Sequence, residues 1–178
     1  MRWILTALMA LVILPVQAAG LTTTNVERWI DSMPEIQIWL DARQDAMPAP
    51  SPSQGGDFKA VLDQGIKNLR NASLYQAFDT ELGKHGYHSV EEWSDQTARI
   101  SMSYLAIEME KEPVTLSQLQ AQLTQVEAAE GLPPEQVQAI ANMLRSTIAM
   151  MRKVNSVPVE DKQVVRPYLK QVGQVLSQ

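Results

Sequence analysis

His85 and His88 are the only histidines of the chain, and they lie within Glu81-Leu82-Gly83-Lys84-His85-Gly86-Tyr87-His88 with Asp79 and Glu92 close by. Two imidazoles beside carboxylates are a donor set for zinc or copper. Against that chemistry, Gly83 and Gly86 interrupt the segment, so the spacing is not held on one helix face, and Lys84 puts a cation among the donors. No Ser sits in a recognised nucleophile context, and there is no Cys to act as a thiolate. Surface histidines in a loop are the expectation, with no metal, no cofactor and no catalytic residue.

The other chemistry-bearing residues read the same way. Met102 and Met109 are seven apart, as are Met143 and Met150, with Met151 adjacent. Thioethers are soft ligands for Cu(I), but these positions fall on or beside apolar stripes, which predicts gap-filling between helices. Glu108, Glu110 and Glu112 alternate with Lys111 and others, so on a helix they point to different faces and cannot converge as an acid–base pair; a solvated helix end is expected. Trp29, Trp39 and Trp93 all occupy apolar helical positions and are expected as core anchors. A less bland use remains for the first two. Trp29, Met33 and Trp39, ahead of a Pro-rich linker, form a candidate apolar binding arm for a partner.

The elements that must position these residues are helical almost throughout. Thr24 to Glu27 and Ser32 to Glu35 read as capping boxes, the second with Pro34 in its first turn, so a short helix, a break before Pro34 and a second helix to about Ala46 are expected. Met47 to Gly56 follows as the clearest linker, and Asp57 suits the cap of the next helix, with Phe58, Val61, Leu62, Ile66 and Leu69 on one face. Ser89 to Glu92 opens a long helix to about Lys111. Its two apolar stripes, Trp93-Thr97-Ile100-Tyr104-Ile107 and Ala98-Met102-Leu105-Met109, predict a position near the centre of a bundle. Thr115 to Gln118 caps a helix with a narrow seam of Leu116, Leu119, Leu123 and Val126. Pro134 opens the next, and Pro158 the last, which Pro167 should kink or split. No stretch alternates at strand period. The fold class is therefore all-α: an irregular bundle of about six or seven mostly antiparallel helices.

The first residues carry an address. Arg2 precedes a nearly unbroken apolar run from Trp3 to Val16, and Val16-Gln17-Ala18 places small residues three and one before a cut. That is a secretory signal peptide, too short to span as an anchor, with cleavage expected between Ala18 and Ala19 and the following bond as second choice. The organisation predicted is residues 1–18 as signal peptide, 19–46 as an N-terminal helical arm, 47–56 as linker and 57–178 as the bundle domain. No later segment is apolar enough to cross a membrane. An exported chain without cysteine points to a Gram-negative periplasm. The formal charge of -5 removes the basic surface that nucleic-acid binding needs.

The stretch from Leu21-Thr-Thr-Thr-Asn25 to Met33-Pro34, with the ending Val157-Pro158-Val-Glu160-Asp161 to Val165-Arg166-Pro167-Tyr168, resembles uncharacterised exported helical proteins of proteobacteria. That resemblance implies no activity. A comparison with the small periplasmic chaperones of the Spy and CpxP type finds their Leu-Thr-x-x-Gln motif echoed only by Leu132-Pro133-Pro134-Glu135-Gln136. The expectation is a non-catalytic binding protein of the cell envelope whose partner is another envelope protein or an apolar ligand. The alternative is a chaperone-like or assembly accessory factor, and a metal-binding enzyme stands third.

Overall fold

The computed structural model describes residues 20–47, 58–111, 114–129, 131 and 133–177. The expected signal peptide, the linker from Pro48 onward, the Asp57 cap and Pro113 lie outside the described residues. Eight α-helices make up the fold among them: α1 (Thr23–Asp41), α2 (Phe58–Asn71), α3 (Tyr75–Lys84), α4 (Val90–Met109), α5 (Leu116–Glu127), α6 (Pro134–Asn155), α7 (Val159–Val165) and α8 (Leu169–Leu176). No strand occurs among the described residues. The last two helices are one rod split at Pro167, where Arg166–Tyr168 tighten into a 3-10 turn, so the all-α expectation of six or seven helices holds with that rod counted once.

The N-terminal helix differs from its expectation in three ways. It starts earlier, because Thr22 rather than Thr24 is the cap: its hydroxyl accepts from the Asn25 amide at 3.2 Å, and the Asn25 side chain accepts from the Thr22 amide at 3.1 Å. It also runs through Pro34 without a break and ends at Asp41, short of Ala46, which belongs to a separate 3-10 turn. A proline in a helix interior removes one hydrogen bond and crowds the previous turn. The helix tolerates this because Val26, Trp29 and Met33 before the proline and Ile36 and Trp39 after it are buried in the same core. A break would strip one half of that stripe from its neighbours. Pro34 itself faces solvent.

The centre belongs to α4, as its two stripes predict. It packs against α1, α2, α3, α6, α7 and α8. Trp39, Phe78 and Trp93 stack through the core, with ring centroids 5.1 and 5.2 Å apart and the second pair edge to face. Trp29 is fully buried, and its indole N–H donates to Thr97 Oγ1 at 3.0 Å. Along α1, Leu21 meets Asp161, Glu27 meets Tyr168 and Gln37 meets Val175. The first helix therefore lies parallel to the α7–α8 rod.

Helices α5 and α6 form a hairpin apart from this core. Their seam is a second, smaller cluster of Leu119, Ile148 and Met151, edged by Met109, Leu116, Leu123 and Leu144. The expected capping box of α5 is present in full: Thr115 Oγ1 accepts from the Gln118 amide at 3.3 Å, and the Gln118 side chain accepts from the Thr115 amide at 2.7 Å.

Candidate functional site

The segment holding both histidines is the turn between α3 and α4. Gly86 adopts a φ of +79°, a left-handed geometry that a side chain resists, and this ends α3. The two imidazoles then diverge. His85 is largely buried against α1, its Nε2 3.6 Å from Glu35 Oε2. His88 is 90% exposed, with Nδ1 2.9 Å from Glu92 Oε2. Asp79 joins neither, and among the described residues no three His, Asp or Glu side chains gather as a metal-holding group.

What the turn does build is an ionic clasp. Glu92 accepts from Arg28 Nη2 at 2.8 Å, from Gln96 Nε2 at 2.8 Å and from the His88 backbone N–H at 2.8 Å. Arg28 also donates to the Gly86 carbonyl, and its guanidinium lies 4.4 Å from the centre of the Tyr87 ring. Partial burial pushes the Glu92 carboxyl up. The His88 backbone and ring bonds and the Arg28 guanidinium more than offset this and hold it at about 2. A carboxylate so fully engaged is a poor general base. Its role is to fasten α1 to the α3–α4 turn, and α4 is capped there by Ser89, whose hydroxyl accepts from the Glu92 amide at 3.0 Å. The reciprocal half of the expected box is missing because Glu92 turns to His88 instead.

Trp29, Met33 and Trp39, the candidate apolar arm, are 0%, 8% and 8% exposed. They form part of the main core and present no open surface in this conformation. The methionines divide. Met151 is buried in the hairpin seam and Met109 packs against it, Met102 lines a cleft, and Met143 stands 63% exposed. The gap-filling expectation therefore fails for Met143, which lies off the α5-facing stripe of Leu144, Ile148 and Met151. Glu108 and Lys111 pair at 2.7 Å at the exposed end of α4, as a solvated helix end should. Glu110 departs from that expectation: it accepts from Lys162 and Arg166, each at 2.8 Å, and clamps α4 to the start of the α7–α8 rod. Those two hydrogen bonds hold its carboxyl at about 2. Glu112 lies outside the described residues.

Two features escaped the sequence. One is Asp161, only 2% exposed, which accepts from Arg99 Nε and Nη2 at 2.9 and 2.8 Å and from the Leu21 amide at 3.1 Å. In the sequence it is only an acid in the first turn of a helix. The Arg99–Asp161 pair edges an open cleft of about 280 Å³, floored by Phe58, Met102, Val157 and Pro158.

The other is the uncovered flank of α6. Ile140, Met143, Thr147, Met150 and Val154 step by 3, 4, 3 and 4 along it. Val154 is buried and Met150 half-buried, while Met143 opens to solvent. Two neighbouring stretches, Val114 to Val126 and Gln136 to Leu144, contain no Asp, Glu, Lys or Arg, and the exposed Arg145–Glu127 ion pair borders them. Sevenfold methionine spacing was the available signal, but it was absorbed into the core.

No protein-family model, no curated protein and no solved structure matches this chain.

Proposed function

We propose that this chain is an exported, non-catalytic binding protein of the Gram-negative cell envelope, retained in the periplasm, and that its partner is an apolar segment of another envelope protein. The observation that carries the binding half is the open flank of α6. An exposed Met143 between the half-buried Ile140 and Met150, beside the uncharged stretches Val114 to Val126 and Gln136 to Leu144, has the make-up of an interface core, which is rich in methionine and poor in charged residues. The export half rests on Arg2, the apolar run from Trp3 to Val16 and the small residues at Val16 and Ala18.

The assembly-factor alternative drew its surface from Trp29, Met33 and Trp39, and that surface is buried. Its remaining support is the same α6 flank. Of the metal-binding reading, the divergent His85 and His88 leave little.

The test is a photo-crosslinking residue at position 143, expressed with the full chain in cells. One discrete adduct is expected in the periplasmic fraction, and it should vanish when Ile140→Glu is added. N-terminal sequencing of the free protein should begin at Ala19. A chain that remains in the cytoplasm, or an adduct indifferent to Ile140→Glu, overturns the proposal.

A further inference from the structure

Between the start of α2, the middle of α4 and the α6–α7 turn lies the open cleft of about 280 Å³ that the Arg99–Asp161 pair edges. Its floor is apolar: Phe58 from α2, Ala98 and Met102 from α4, and Val157 and Pro158 from the turn. Lys59, Arg99 and Lys153 line the same cleft, against the single carboxylate of Asp161. That carboxylate is buried and turned inward, onto Arg99 and the Leu21 amide. Lys59 and Lys153 are exposed and Arg99 partly so. The charge that solvent meets in the cleft is therefore positive, on a chain with 20 acidic residues against 15 basic ones. Lys59 also pairs with Asp63 and Asp95, at 3.3 and 3.0 Å, but neither lines the cleft, and pairs between side chains this exposed hold weakly. The walls are fixed. Two hydrogen bonds from Arg99 to Asp161 tie α4 to α7, and in the turn the Ser156 hydroxyl donates to the Lys153 carbonyl at 2.7 Å and the Val157 amide to the Val154 carbonyl at 3.2 Å.

We propose that this cleft is a binding site for a small organic anion, a carboxylate carried on a short apolar chain. A mostly apolar, preformed hollow with a few charged groups beside it is the make-up of a small-molecule site, and its rigidity lowers the ordering cost of binding. The chain of the ligand covers Phe58, Met102 and Val157, and its carboxylate meets the exposed Lys59 and Lys153. Size sets the length of that chain. At ~30 Å³ for each water-sized group, the cleft holds about nine non-hydrogen atoms, the size of octanoate and far short of a nucleotide or a two-chain lipid. The site is separate from the exposed Met143, which lies about 15 Å along the α6 axis from Lys153, and it does not depend on what that flank binds.

The test is a titration of the purified protein, carrying carbon-13 in its methionine methyl groups, followed by NMR. The Met102 signal is assigned by its loss in Met102→Leu, and that of Met143 by its loss in Met143→Leu. Three probes are compared: octanoate, acetate with the same head and no chain, and octyltrimethylammonium with the same chain and the opposite charge. Octanoate should move the Met102 signal with half-saturation on the order of 1 mM, as befits so small a ligand. Acetate and octyltrimethylammonium should leave that signal in place over the same range. The double variant Lys59→Gln, Lys153→Gln changes only exposed positions and should weaken octanoate about fivefold. A Met102 signal that stays still under octanoate overturns the proposal, and so does one that responds equally to the cationic probe. A response confined to Met143 overturns it as well, because the apolar chain has then found the α6 flank instead of the cleft.

Discussion

Replacing Trp29 by Ala tests whether the first helix is core or appendage. The indole is fully buried, and its N–H is held by Thr97 at 3.0 Å. A buried tryptophan removes roughly 200 Å² from water, which at ~25 cal/mol/Å² is about 5 kcal/mol. Partial relaxation of the cavity and the released Thr97 hydroxyl bring the expected loss to about 3–5 kcal/mol, within the range seen for large aromatic truncations. A domain of this size has ~5–15 kcal/mol in all, so the variant should unfold at much lower urea or not fold. Thr97→Val isolates the polar part and should cost about 1–3 kcal/mol, because it leaves a buried N–H without an acceptor. The assay is urea unfolding followed by circular dichroism at 222 nm, with the slope checked for constancy. A loss below about 1 kcal/mol for Trp29→Ala would mean that α1 is only loosely seated, and the account of the core given above would be wrong.

Other outcomes follow from single positions. Glu92 has a folded-state pKa of about 2 against an ordinary value of 4.5, so its stabilisation is complete above pH 4.5 and is lost as pH falls toward 2; with the side chain 27% exposed, about 1–2 kcal/mol is at stake, and Glu92→Gln should flatten acid unfolding across that window. Gly83 and Gly86 should respond oppositely to alanine. Position 83 is helical with open space around it and should gain about 0.5–1 kcal/mol in thermal unfolding, whereas at the left-handed Gly86 alanine should cost about 1–2 kcal/mol. Pro34→Ala restores a helical N–H at an exposed position and should raise stability by about 1 kcal/mol or more; a loss would show that the proline shapes the core.

The sequence disclosed what depends on neighbours three or four residues away. The stripes of α4 placed it at the centre, the Thr115 box started α5, and Pro167 divided the last rod. It misled where two local signals competed. Thr24 and Thr22 both precede suitable acceptors, and only the docking of Leu21 selects Thr22. Pro34 looked like a beginning because a proline suits a first turn, while the burial of Ile36 and Trp39 beside Trp29 demanded continuity. Glu110 and Asp161 were opaque for a simpler reason: their partners lie 52, 56, 62 and 140 residues away, beyond any periodicity. The open flank of α6 was half legible, since spacing reveals an apolar stripe but not whether anything lies on it.

The parallel seating of α1 against the α7–α8 rod makes this an unusual all-helical protein in kinetic terms. Helical domains generally fold fast because their contacts are local, and rates fall as mean contact separation rises. Here the bonds from Leu21, Glu27 and Gln37 reach across 140, 141 and 138 residues. The α5–α6 hairpin can form early and alone. The centre cannot close until the final helix exists, so a stop codon a few turns before the end would strand Trp29 and its neighbours without a roof.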